Sequence, residues 1–314
     1  MAAPRPLPDL ARRAPQVALL PDGRRLHLQD GPIDLVIEAM GEDGAVQRAY
    51  GAAAARFTGL LYALCEELDV LRMPAGRHGP ALTHRVAQRM GRAVAPFADA
   101  VFITPMAAVA GAVAEEVLEA LIAPGVHRAY VNNGGDIALY LAAGARFAVG
   151  LVDRPDQPRL IGAAEVDADD PVRGVATSGW RGRSFSLGIA DAVTILAPTA
   201  AMADAAATVV ANAVDLPGHP GVVRVSACQM QPDSDLGTLP VTRAVPELTA
   251  AERAQALTAG LAVARDLSAR GLICAAALHL QGETMSTGDG LLSLPPHAAA
   301  VPLPSKPEKE CAHA

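Results

Sequence analysis

Val131-Asn132-Asn133-Gly134-Gly135-Asp136-Ile137 joins two apolar extended runs through a pair of glycines. Arg128-Ala129-Tyr130-Val131 leads in, and Ile137-Ala138-Leu139-Tyr140-Leu141 leads out. Consecutive glycines permit positive φ and a close backbone approach to a ligand. Successive N–H groups in such a turn form an anion-binding nest, and Asn and Asp add side-chain donors and acceptors. A plain hairpin turn accounts for the same residues without a ligand. Two later segments bear on the choice: Thr177-Ser178-Gly179, and Ala203-Asp204-Ala205-Ala206-Ala207-Thr208.

Outward from this loop, apolar spacing predicts the elements. Segments 16–20 and 25–29 flank Pro21-Asp22-Gly23 as a hairpin, with a third strand at 33–39. A helical pattern runs from Gly44 to about Arg72, and a second helix from Pro80 to about Pro96. Residues 100–104 read as extended, and Thr104-Pro105 as the N-cap and first residue of a helix to about Ala123. Strands follow at about 127–132, 136–142, 146–152, 159–166, 172–177 and 193–196. Pro198-Thr199 opens an Ala-rich helix to about Val214. Residues 215–247 are irregular with one strand near 222–227, Thr249 caps a long helix to about Arg270, and 273–281 reads as a closing strand. Helices and strands come in mixed blocks rather than strict alternation, which predicts an α+β layered fold. The expected organisation is a flexible leader at 1–14, one domain at 15–288 and a disordered Pro/Ala-rich tail at 289–314.

Composition removes several functions. Of 314 residues 51% are hydrophobic but only 3% aromatic, so alanine carries much of the core and close helix packing is favoured. The net charge of −7 leaves no basic footprint for nucleic acid. Both lysines, Lys306 and Lys309, lie near the C-terminus, so a Schiff-base lysine and a P-loop lysine are missing from everything before them. The four cysteines have no zinc spacing and predict reduced thiols. No long apolar run follows Arg12-Arg13, and no segment reads as a membrane span, which predicts a cytoplasmic protein. The apolar first helix suits a homo-oligomer interface as readily as a core.

Asp204 and Thr208 are four apart in a helical segment and share a face. A carboxylate and a hydroxyl are hard oxygen donors suited to Mg²⁺ or Ca²⁺. A surface Asp, with a Thr bonding back along the helix, is the plainer explanation. The order of motifs adds to this. Val131-Asn-Asn-Gly-Gly-Asp-Ile137, then Val175-Ala-Thr-Ser-Gly179, then Val193-Thr-Ile-Leu-Ala-Pro-Thr199 and Met202-Ala-Asp-Ala-Ala-Ala-Thr208 resemble the ApbE-like family, which includes Mg²⁺-dependent FAD:protein FMN transferases. The resemblance is clearest over about residues 100–215. It implies an ApbE-like α+β fold, FAD held near Mg²⁺, and a transferase or hydrolase acting on a flavin nucleotide. By resemblance, Asp204 and Thr208 hold the metal. Asn133, Gly134, Gly135 and Asp136 form the nucleotide loop, and Thr177, Ser178 and Gly179 a second ligand-facing loop.

The chain departs from that pattern twice. Val109-Ala110-Gly111-Ala112 stands where the transferases carry Ala-Lys-Gly-Tyr. Arg181-Gly-Arg-Ser-Phe-Ser-Leu-Gly188 stands where they carry a His-Ile-x-Asp-Pro segment. Candidates to compensate are Arg181 and Arg183 as anion clamps, Asp191 as an acidic ligand and His84 as an acid–base group. The same arginines suit a solvated turn, and Asp191 a strand-entry turn. The reading is thus a binder of a flavin or related phosphorylated nucleotide with Mg²⁺. A non-catalytic binder, and an unrelated enzyme for an anionic metabolite, are its alternatives.

Overall fold

The computed structural model describes residues 14–76, 81–288, 290, 292–293 and 301–302. Strands β1 (Gln16–Leu19), β2 (Leu26–Asp30), β3 (Ile33–Gly41), β4 (Val126–Asn133) and β5 (Asp136–Leu141) run as an antiparallel meander. The next two, β6 (Arg146–Val152) and β7 (Arg159–Asp167), leave it and pair with each other. Then β8 (Gly174–Ser178) returns beside β5, and β9 (Ala192–Ala197) follows. A separate ribbon is made by β10 (Val223–Ser226) and β11 (Pro240–Ala244). Strands β12 (Ala275–Leu280) and β13 (Glu283–Thr287) complete a nine-stranded sheet of order β1-β2-β3-β4-β5-β8-β9-β12-β13. Two short strands, β14 (Leu292–Ser293) and β15 (Val301–Pro302), pair with β7.

Side-chain alternation along the central strands explains the layers. On β9, Ile195 joins the core under the helices while Leu196 faces β7 on the other side. On β5, Ala138 and Leu139 divide in the same way. The helices are α1 (Asp43–Phe57), α2 (Leu60–Glu66), α3 (Leu68–Leu71), α4 (Arg85–Val94), α5 (Val109–Leu121), α6 (Ala200–Ala213), α7 (Ala227–Met230) and α8 (Ala250–Ala269). Of these, α5 packs on β4, β5, α1 and α6, and α6 on β8 and β9. The contact between α5, α6 and β8 is nearly backbone on backbone. A Cβ at Gly111 would lie 2.2 Å from the Ala200 carbonyl oxygen, and one at Gly174 would lie 2.3 Å from the Ala200 Cα. Among the described residues no helix is long and apolar enough to cross a membrane.

The mixed α+β layering expected from the sequence is the observed one. Several elements differ in detail. The single helix expected over 44–72 is three: the Gly59 backbone turns left-handed (φ 81) after Thr58, and Glu67 leaves helical geometry (φ −105, ψ 9) between α2 and α3. The second helix starts at Arg85, since His84 is its N-cap. Residues 100–104 are not a strand. Pro105–Ala108 is a 3₁₀ turn before α5, and the Thr104 side chain does not cap it. The closing strand expected at 273–281 is not the edge: Gln281-Gly282 (φ 45 and 87) turn the chain back into β13. The predicted cap at Thr249 is a full capping box with Glu252. Most of the 1–14 leader and 289–314 tail lies outside the described residues.

Candidate active site

The Gly134-Gly135 pair is a two-residue hairpin turn between β4 and β5 (φ 68 and 117). Asn132 Oδ1 accepts the Gly135 N–H at 2.8 Å and stabilises the turn. The buried Asn133 amide donates to the Ala110 carbonyl at 3.2 Å, tying the hairpin to the start of α5. Asp136, the first residue of β5, is thereby held beside that helix start. Alpha helix α6 is entered through a cap in which Thr199 Oγ1 accepts the Met202 N–H at 3.2 Å. Glu115 of α5 accepts the Ala201 N–H at 2.7 Å and also pairs with Arg89 of α4. These contacts set the rotation of α6, so Asp204 and Thr208 open onto one cavity with Asp136.

That cavity measures about 300 Å³. Its walls include Asp136, Asp204, Thr208 and Arg183, the start of α5 at Val109 and Ala110, and residues from 231–236. Asp204 Oδ2 accepts the Gly111 N–H at 2.9 Å, at the positive end of α5. Arg183 lies over the hairpin: a Cβ at Gly134 would sit 1.6 Å from its Nη2. Only a glycine leaves that guanidinium its place.

The two carboxylates disturb each other. Burial first, then the neighbouring Asp136 charge, hold the Asp204 carboxyl well above its ordinary range, while the Gly111 and Ala110 N–H groups oppose this. Burial pushes Asp136 up to about 7 against the pull of the Thr177 N–H and Arg183. Both acids thus bind protons more tightly in the folded protein than in the unfolded chain. For Asp136 the stability from this source is complete below the ordinary aspartate value of 3.8 and is lost as pH rises through about 7. In EDTA, the urea midpoint is expected to be lower at about pH 8 than at about pH 5, and Mg²⁺ is expected to narrow the gap at the higher pH. Equal midpoints in EDTA would show that the pair carries no strain.

Other residues singled out by the sequence lie elsewhere or only nearby. Thr177 donates its N–H to Asp136 at 3.4 Å and shares a 2.9 Å hydroxyl contact with Thr194, so it supports the cavity from behind. Ser178 and Gly179 do not line it. Gly179 is needed for a close approach, since a Cβ there would lie 2.5 Å from the Asp191 carbonyl oxygen. Arg181 and Asp191 are spent on each other at 2.7 Å. The Arg181 guanidinium also covers the Trp180 ring at 4.3 Å, and Asp191 accepts the Gln281 N–H at 2.7 Å. His84 is occupied in capping α4, beside a different cavity.

Sequence reading missed Arg72 and the 231–236 loop. Arg72 pairs with Asp233 at 2.8 Å, and the Thr104 hydroxyl donates to Asp235. The available signal was Asp233-Ser234-Asp235, a polar acidic run inside the irregular stretch.

Known proteins resemble this chain over part of its length in sequence, and a family model covers most of it. The chain is 37% identical over 124 residues to a UPF0280 protein of Methanothrix thermoacetophila, covering 36% of this chain and 46% of that one. It is 42% identical over 127 residues to a UPF0280 protein of Methanopyrus kandleri, covering 40% and 48%. The chain thus spans about half the length of these curated relatives. Among solved structures, the apo flavinyl transferase ApbE of Pseudomonas stutzeri shares 16% identity at a TM-score of 0.32, over 81% of this chain and 75% of that one. A mutant of the flavin transferase ApbE from Vibrio cholerae shares 12% at 0.35, over 85% and 98%. Both likenesses are too loose to place a residue. The family described as "AbpE bacteria" matches residues 17–286, nearly the whole described chain, and the protein belongs to that ApbE-like family.

Proposed function

We propose that the cavity binds the pyrophosphate of a flavin dinucleotide or a related phosphorylated nucleotide together with Mg²⁺, and that cleavage or transfer takes place at that pyrophosphate. The observation that carries the proposal is the convergence of Asp136, Asp204, Thr208 and Arg183 on one cavity. Two carboxylates and a hydroxyl match a cation that takes hard oxygen donors. Mg²⁺ is commonly held by one or two carboxylates plus substrate phosphates. Bound there, Mg²⁺ would neutralise the phosphates and stabilise charge on the leaving oxygen.

The remaining tasks fall to the chain. Asp204 is oriented by the N–H groups of α5, so that helix end serves the carboxylate. Arg183 supplies a guanidinium beside the glycine turn, where a planar fork can grip two phosphate oxygens. Arg72 is already paired with Asp233. A cavity of about 300 Å³ is at the small end for a ligand site. It suits a pyrophosphate, with the rest of the nucleotide lying across the mouth.

Calorimetry with FAD, ADP and orthophosphate, each with Mg²⁺ or EDTA, tests this. FAD is expected to bind only with Mg²⁺. Absence of FAD binding in Mg²⁺ would overturn the proposal. Arg183→Ala is expected to weaken FAD binding about 10–100-fold, as for a charge-assisted clamp, while leaving Mg²⁺-induced stabilisation in place. Unchanged FAD affinity in that variant would remove Arg183 from the phosphate site. Because the Lys and His segments of the flavin transferases are missing, a binder without turnover is the second reading. FAD binding with no product would favour it.

A further inference from the structure

The proposed reaction needs a group to take the proton of the attacking hydroxyl. No histidine, lysine or cysteine is among the described residues that line the cavity, which leaves the carboxylates as its proton-accepting side chains. Four aspartates line it: Asp136, Asp204, Asp233 and Asp235. The first two are the cation's ligands in the reading above. Asp233 is exposed and paired with the Arg72 guanidinium at 2.8 Å. That partner holds its carboxyl below the usual range.

Asp235 differs. Its partner is a neutral hydroxyl: Thr104 Oγ1 donates to Asp235 Oδ2. Thr104 is 2% exposed, so this donor is fixed in the core. By position Thr104 is an N-cap residue, yet its hydroxyl caps nothing and is used across 131 residues of sequence instead. The contact engages Oδ2 of Asp235, a residue that lines the cavity. The loop is pinned at Asp233 as well, so Asp235 is held from both sides rather than on a free tip.

We infer that Asp235 is the general base of this site and that Thr104 is its positioning residue. The inference rests on the pyrophosphate reading. A hydroxyl R–OH, from water or from a Ser or Thr side chain, attacks the flavin-side phosphorus. Its proton passes to the Asp235 carboxylate as the new O–P bond forms. The bond from that phosphorus to the bridging oxygen breaks, and its electron pair stays on that oxygen. The second phosphate departs as a nucleoside monophosphate, and Asp235 returns its proton to solvent. The products are FMN when water attacks and an FMN ester when a side chain does.

The test uses the full chain with FAD and Mg²⁺, without acceptor and with a Ser/Thr-containing peptide. FMN and AMP are separated by chromatography, and the peptide is weighed by mass spectrometry. Asp235→Ala is expected to lower kcat about 10²–10³-fold while FAD affinity stays within about threefold. Added formate is expected to restore part of the lost turnover, which a purely structural residue would not show. Thr104→Val is expected to cost about tenfold in kcat with little change in KM. Asp266→Asn, on the solvent face of α8, serves as control. If Asp235→Ala folds poorly, the isosteric Asp235→Asn decides in its place.

Turnover of the Asp235 variants within about threefold of wild type would overturn the inference, as would loss of FAD affinity in step with kcat and no rescue. A wild-type protein that binds FAD with Mg²⁺ but yields no product overturns the base and leaves the binding site standing. A wild-type protein that does not bind FAD removes the pyrophosphate reading itself.

Discussion

Asp204→Asn is expected to remove Mg²⁺-dependent nucleotide binding and, in the metal-free protein, to raise the melting temperature. The two effects share one cause. Asp204 and Asp136 open onto one cavity, and each holds its proton above the ordinary aspartate range. Near neutral pH, ionising both costs folding free energy. An amide keeps the acceptor for the Gly111 N–H, now 2.9 Å from Oδ2, and removes the charge. Relief of the repulsion is expected to contribute about 1 kcal/mol, or about 1–2 °C for a chain of this size. Loss of the anionic ligand is expected to weaken nucleotide binding in Mg²⁺ by about 100-fold or more. Differential scanning fluorimetry in EDTA and calorimetry in Mg²⁺ measure the two sides. A variant that is less stable in EDTA yet still binds FAD with Mg²⁺ would show that Asp204 serves only as a cap for α5.

Gly111→Ala is expected to be the most damaging single methyl group on the helical layer. The added Cβ would meet the Ala200 carbonyl oxygen at 2.2 Å, the Ala200 carbonyl carbon at 2.5 Å and the Ala201 nitrogen at 2.8 Å. All three are backbone atoms, so no side chain can swing aside. Helices α5 and α6 must separate, at a cost of about 3 kcal/mol or more. The same shift moves the Gly111 N–H away from Asp204 and the Glu115 carboxylate away from Ala201. Nucleotide binding should therefore fall together with stability. Gly51→Ala is the fitting control, since α1 exposes that position and nothing lies within 4 Å of its Cβ. That change is expected to stabilise by about 0.5–1 kcal/mol through helix propensity. Equal melting temperatures for the two variants would contradict the backbone contact.

Much of the secondary structure was readable because it depends on neighbours in sequence. The Pro198-Thr199 entry to α6, the Thr249 cap of α8 and the Gly134-Gly135 turn carry their chemistry within a few residues. Errors arose where one backbone angle overrode a periodic pattern, as at Gly59, or where a side chain found a distant partner, as at Thr104. Arginine identity was similarly silent. Arg181 and Arg183 are two residues apart, yet one stacks on Trp180 and pairs with Asp191 while the other covers Gly134.

By itself the sequence determined that Asp204 and Thr208 share a helix face, that paired glycines join two strands, and that no lysine precedes residue 306. Tertiary structure alone decided that Asp136 and Asp204 would share a cavity, that Arg183 rather than Arg181 would reach it, and that Asp235 would join them. The division has a physical basis. Helix faces and turns follow from local dihedral geometry, whereas the raised proton affinity of two carboxylates and the aim of an arginine depend on which elements pack together.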